Sequence, residues 1–220
     1  MNNKICCIVG AGDNYGLDFT VADGDLLIAA DGGLTYLLEH GITADLVLGD
    51  FDSLSQKPEL SNVITLSSIK DDTDTLAAVR EGMKRGYESF HIYCGTGGRA
   101  EHTIANIQML GYLSQSGMSG YLFDRDTIIT AVTSGSITFA DRCSGYLSVF
   151  SFSDKASGVT LKGLKYELEN ADLTNTFPVG VSNEFIGVDS TVAVNDGTLI
   201  VVFPRKHKKD ARSISGGISG

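Results

Sequence analysis

The chain has 220 residues, of which 17 are Lys or Arg and 27 are Asp or Glu, giving a formal net charge of −10 with 42% hydrophobic residues. This composition excludes a large disordered protein and suits one large or two small domains, while the acidic balance counts against binding nucleic-acid backbones as the main job. The longest apolar runs, such as Ile5 to Val9 and Leu199 to Phe203, reach five residues, which is strand length and far short of the roughly 20 residues of a membrane-spanning helix.

The opening MNNKICCIVGAG carries one Lys and an apolar stretch shorter than the roughly 7 to 15 residues of a signal peptide, so a cytosolic protein is expected. Cys6, Cys7, Cys94 and Cys143 form no CxxC pair and no zinc-like spacing with His40, His91, His102 or His207. Cys6 and Cys7 would face opposite sides of one strand and read as core packing.

From Lys4 to about Asp124 short apolar strands alternate with helical stretches, the signature of an α/β layer on a mainly parallel sheet. Strands are expected at Ile5 to Val9, Leu26 to Ala30, Leu46 to Leu48, Val63 to Leu66, Phe90 to Cys94 and Tyr121 to Phe123. Helical spacing joins Leu34, Leu37 and Leu38, then Leu76, Val79 and Met83, then Ile104, Ile107 and Leu110. Gly41, Gly86 and Gly117 fall where these helices would be capped.

After about Asp126 the pattern becomes all-β, with runs at Thr127 to Val132, Ser136 to Phe139, Tyr146 to Phe152, Val159 to Leu161, Ser190 to Val194 and Thr198 to Phe203. Asn195-Asp196-Gly197 reads as a hairpin turn. The fold class expected is an N-terminal α/β domain, residues 1–125, followed by a C-terminal β-sandwich, residues 126–220, whose basic tail from Arg205 onward would be a solvated end that frays.

Gly10-Ala11-Gly12 follows the first strand, but the next glycine is Gly16, so GxGxxG is not satisfied and the turn reads as a tight strand exit. A stronger signal is the acidic residues just past the apolar strands: Asp31 in ADGG, Asp50 and Asp52 in GDFDS, and Asp71, Asp72 and Asp74 in KDDTD. A parallel sheet gathers these at its carboxyl rim, where ligands bind. Converging carboxylates repel, and a hard divalent cation such as Mg²⁺ bridging phosphate relieves that. The competing reading is that such residues start turns and helices, as Asp72 and Thr73 would before Leu76.

Gly95-Thr96-Gly97-Gly98-Arg99 leads from a strand into a helix and offers amide groups and a guanidinium to phosphate. His102 and Asn106 share a helix face beyond it, His102 reading either as packing or as an acid or base.

Together DGG, GDFDS, KDDTD, GTGGRAEHTIANI and the late GVSNEF, which span Asp31 to Phe185, resemble the bacterial type of thiamine pyrophosphokinase. The resemblance implies a homodimer that transfers the β,γ-pyrophosphoryl group of ATP to thiamine, leaving AMP; the charge and the short apolar runs add the expectation of a cytoplasmic protein with no nucleic-acid or membrane partner. It implies a nucleotide-binding catalytic domain followed by a thiamine-binding and dimerisation domain. It carries the metal and phosphate carboxylates onto Asp50, Asp52 and Asp74, with Asp71 close by and Asp31 at the same mouth. Lys70, Arg99, His102 and Asn106 fall on the ATP side, and Ser182 with Asn183 on the thiamine side, in a pocket between subunits. Lys70 reads equally as a phosphate contact or a surface lysine, and the proton acceptor is open between Asp71, Asp52 and late deprotonation.

Two departures from the family pattern stand out: Glu101 replaces the usual Asp of GGRxDH, and Ala77 and Ala78 stand where many members carry a Lys. Two other readings compete. Asp50-Phe51-Asp52 also fits the DxD of a nucleotide-sugar glycosyltransferase, and the altered motif fits a thiamine- or nucleotide-binding sensor that has lost catalysis.

Overall fold

The computed structural model describes residues 4–49, 63–65 and 72–214. It divides into two compact units, Met1–Asn106 with Leu122–Asp124 and Ile107–Tyr121 with Arg125–Gly220.

The first unit follows the expected alternation: β1 (Ile5–Val9), β2 (Leu26–Ala30), α1 (Gly33–Glu39), β3 (Leu46–Gly49), β4 (Val63–Thr65), α2 (Asp74–Lys84), β5 (Ser89–Tyr93) and the start of α3 (Ala100–Gln115). The strands pair in parallel in the order β5-β1-β2-β3-β4, with Cys6 in register with both Leu26 and Phe90. β1, β2 and β5 are buried almost throughout, which explains their continuous apolar runs. Cys6 and Cys7 are core residues, as expected. The chain steps outward from β1 to β4 and then returns to lay β5 on the opposite side of β1, so the order reverses between β1 and β5. Ligands of open α/β sheets bind in the crevice at that reversal.

The three helices end alike. Gly41, Gly86 and Gly117 have φ of 67°, 85° and 77°, and the residue after each donates its amide to a carbonyl five residues back: Ile42 to Leu37, Tyr87 to Gly82 and Met118 to Leu113. These are Schellman closures, and glycine takes the left-handed position without a Cβ clash. Thr73 opens α2, its hydroxyl accepting from the Leu76 amide at 3.2 Å.

β6 (Ser119–Phe123) follows α3. The second unit then carries β7 (Thr127–Thr133), β8 (Ser136–Phe139), β9 (Tyr146–Ser151), β10 (Lys155–Lys162), β11 (Leu168–Thr174), β12 (Asn183–Glu184), β13 (Ser190–Ala193), β14 (Thr198–Pro204) and β15 (Ala211–Ile214). They form two antiparallel layers, ordered β12-β9-β14-β7 and β11-β10-β13-β8-β15. Phe139 of one layer meets Phe203 of the other at 5.1 Å between ring centroids, so the inner faces share an aromatic core.

The tail corrects the sequence expectation. Arg205–Asp210 is a 3-10 helix and β15 pairs with β8, with His207 buried at 7% exposure. Polar partners anchor this stretch where apolar periodicity would normally signal order. Among the described residues no helix is long and apolar enough to cross a membrane.

Candidate active site

A cleft of about 320 Å³ opens in the first unit at the β1/β5 reversal, lined by Gly12 after β1, Asp31 after β2, Thr73 to Thr75 at the start of α2, Cys94 to Gly98 after β5, except Thr96, and Arg99, His102 and Asn106 around the start of α3. Of the sequence candidates, Asp31, Asp74, Arg99, His102 and Asn106 therefore share one cleft. Asp50, Asp52, Lys70 and Asp71 lie outside the described residues.

Asp31 extends the β2 edge, its amide donating to the Leu48 carbonyl at 2.7 Å, and its φ of 50° turns the chain sharply into α1. Cys94 turns just as sharply after β5, with φ of 52°. Left-handed backbone at a non-glycine residue is unfavourable, and such positions concentrate at functional sites. Ser134, Asn170 and Ser182 in the second unit, at φ 42°, 49° and 57°, share this conformation. Cys94 gave no sequence signal, because a buried cysteine ending a strand looks like core.

The first glycine turn is a strand exit, as its failed GxGxxG pattern suggests. Gly10, Gly12 and Asp13 donate their amides to the carbonyls of Tyr93, Cys94 and Thr96 at 2.9, 2.7 and 2.8 Å. Those donors are spent on the neighbouring loop, and a Cβ at Gly10 would lie 2.8 Å from the Cys94 oxygen. The second glycine-rich turn, Gly95 to Gly98, lines the same cleft, Thr96 excepted.

That turn is held from behind. Thr96 is buried and donates its hydroxyl to Asp124 Oδ1 at 2.7 Å, and buried Asn106 donates its side-chain amide to the Gly95 carbonyl at 2.7 Å. Asp124, another carboxylate just past an apolar strand, was legible by the same rule that picked Asp31 but was not singled out. At the rim Arg99 Nε donates to Glu101 Oε1 at 2.7 Å, both side chains well exposed. Glu101's own backbone amide, then Arg99, hold its carboxyl below the usual range.

In the second unit Ser182 is exposed and its amide donates to Ser148 Oγ at 3.0 Å. Asn183 is 2% exposed, and its side chain is committed to backbone: Oδ1 accepts from the amides of Tyr166 and Glu184, and Nδ2 donates to the Tyr166 carbonyl. Asn183 thus braces the loop beside Ser182.

A family model described as thiamin pyrophosphokinase, catalytic domain, matches residues 19–122, and one described as thiamin pyrophosphokinase, vitamin B1 binding domain, matches residues 136–199. The thiamine pyrophosphokinase of Bacillus subtilis (strain 168) is 29% identical over 184 residues, covering 80% of this chain and 86% of that protein. The crystal structure of thiamine pyrophosphokinase from Bacillus subtilis is similar with a TM-score of 0.82 at 29% identity, covering 91% of this chain and 99% of that one. Thiamin pyrophosphokinase from Geobacillus thermodenitrificans gives a TM-score of 0.78 at 27% identity, covering 91% and 97%.

Proposed function

The chain belongs to the thiamine pyrophosphokinase family, and we propose that the cleft at the β1/β5 reversal holds ATP while its β,γ-pyrophosphoryl group passes to the hydroxyethyl oxygen of thiamine. The observation that carries this reading is the convergence of Asp31, Asp74 and Arg99 on one cleft from three separate elements. The sugar-nucleotide and sensor readings find no support in the two matched models.

Arg99 and the Gly95 to Gly98 turn at the start of α3 receive the phosphates, since a forked guanidinium and a helix start both favour oxyanions. Thr96 and Asn106 keep that turn in place, so less order has to be imposed when ATP arrives. His102 borders the same end of the cleft, and Lys70 is assigned to the phosphates from the motif it opens. The oxygen donors of Asp31, Thr73, Asp74 and Thr75 lining the cleft fit a hard divalent cation. Asp50, Asp52 and Asp74 are the residues proposed to hold Mg²⁺, which when bound would neutralise charge on the transferring phosphates. Asp71 or Asp52 is the proposed acceptor of the thiamine hydroxyl proton, unless that proton leaves late.

We assign residues 1–125 to catalysis and 126–220 to thiamine binding and dimerisation. Ser182 is the proposed thiamine contact, positioned by Asn183. A homodimer with its thiamine pocket between subunits draws support from exposed apolar side chains flanking β12: Tyr146 at 65%, Tyr166 at 63% and Ile186 at 54%. Four free cysteines support a cytoplasmic location.

The test is product analysis with ATP, Mg²⁺ and thiamine. Equal amounts of AMP and thiamine diphosphate, lost in an Asp74→Asn variant, are expected. Untouched ATP, or ADP as the product, overturns the reading.

A further inference from the structure

The second unit brings together three metal-ligating side chains that sequence spacing kept apart. Cys143, in the loop between β8 and β9, and His207 and Asp210, in the 3-10 helix, place one ligand atom each within 4.8 Å of one another. Cys143 and His207 show no zinc-like spacing in the sequence because they stand far apart in it and meet only through the fold.

The surroundings are arranged as they are around metal ligands. His207 Nδ1 lies 3.2 Å from Asp210 Oδ2, while its other nitrogen, Nε2, lies 3.1 Å from the Ser144 carbonyl and 3.0 Å from the Ser144 amide. Without an ion, Nδ1–H donates to Asp210 and Nε2 accepts from the Ser144 amide. With an ion on Nδ1, the proton would move to Nε2 and donate to the Ser144 carbonyl, the backing that ligating histidines commonly have, and the Ser144 amide would give up its bond to that nitrogen. Arg142 Nε donates to Asp210 Oδ1 at 2.7 Å, holding one carboxylate oxygen and leaving the other turned toward His207. Cys143 and His207 are 3% and 7% exposed.

We propose that Cys143 Sγ, His207 Nδ1 and Asp210 Oδ2 form a zinc site that fastens the 3-10 helix, and β15 behind it, to the β8–β9 loop. A thiolate with an imidazole and a carboxylate suits Zn²⁺ and disfavours Mg²⁺ or Ca²⁺. Tetrahedral bonds of about 2.0 to 2.3 Å place donors roughly 3.5 Å apart, and the donors here stand within 4.8 Å of one another. The thiol proton leaves to solvent, the dication balances thiolate and carboxylate, and water takes the fourth position. The site lies outside the ATP cleft and its role is structural.

The test uses the full chain under reducing conditions with Co²⁺ as a spectroscopic stand-in for Zn²⁺. One equivalent per chain should raise a thiolate-to-cobalt charge-transfer band that Zn²⁺ then abolishes. The band should vanish in Cys143→Ser and weaken strongly in His207→Gln, and survive in Cys94→Ser, which rules out a cobalt ion in the ATP cleft. Zn²⁺ should raise the unfolding midpoint of the wild type by several degrees and leave Cys143→Ser unmoved. No band in the wild type, or an undiminished one in Cys143→Ser or His207→Gln, overturns the proposal.

Discussion

Asn106 donates its side-chain amide to the Gly95 carbonyl at 2.7 Å, both residues being buried, so the second turn of α3 is tied to the glycine-rich loop before it. Asn106→Ala leaves that carbonyl buried without its partner, a loss of about 1 to 3 kcal/mol in stability. Because the loop is the proposed phosphate site, KM for ATP should rise more than kcat falls. Denaturant unfolding together with steady-state kinetics checks both halves, and an unchanged KM would reduce Asn106 to a packing role.

Arg99 pairs with Glu101 across an exposed 2.7 Å contact. In the proposed site this carboxylate would compete with phosphate for the guanidinium. Glu101→Gln should therefore lower KM for ATP, by about two- to five-fold given the weakness of surface pairs, and flatten its dependence on salt. The pH effect has a definite sign. Glu101's folded pKa is lowered, so its stabilising contribution is present above the ordinary carboxylate value and is lost only as pH falls through the lowered one. At neutral pH the pair is intact, and an acid titration of wild type against Glu101→Gln by chemical shift locates the loss.

Asp74 occupies the first turn of α2 and lines the cleft. Asn in its place keeps the shape and Thr73 still caps the helix, but the charge is gone. Turnover should fall by about 10²- to 10³-fold, whereas the lost attraction to the helix dipole costs only about 0.3 to 1 kcal/mol. Near-normal turnover in a folded variant would remove Asp74 from the proposed cation site.

Much of this was legible because buried parallel strands read as unbroken apolar runs, and because Gly41, Gly86 and Gly117 can only close helices the way they do. β11 was not legible: in LENADLT only Leu173 is fully buried, so no alternation marks it. β15 hides in a basic tail held by His207 and Asp210, whose partners Ser144 and Arg142 are remote in sequence. At the site, carboxylates after strands were readable as a rule. The left-handed turns of Asp31 and Cys94, and the commitment of Asn183 to the backbone, depend on tertiary neighbours and were not.

Gly82 sits inside α2, where Ala would favour the helix by about 1 kcal/mol. A Cβ there would nevertheless lie 2.7 Å from the Phe90 ring and 2.9 Å from Cys6 Sγ, since the helix presses directly on β1 and β5. Gly82→Ala should destabilise the fold by about 1 to 3 kcal/mol despite the better propensity. A urea midpoint equal to or above wild type would mean the helix shifts away freely.

Tyr146 and Tyr166 both flank β12, the first through its register with Glu184 and the second through Asn183, and both stand largely in solvent. Large apolar side chains grouped this way mark an interaction face, and the proposed occupant is a second copy of the chain. Sedimentation velocity should show a dimer at micromolar concentration. Tyr146→Asp should weaken it at least tenfold while leaving far-ultraviolet dichroism unchanged, since the ring is 65% exposed and contributes little to the monomer's core. If the thiamine pocket is shared between subunits, the same variant should raise KM for thiamine most at low protein concentration and recover as protein is added. A wild type that stays monomeric at every concentration while turning over normally would place the whole pocket within one chain.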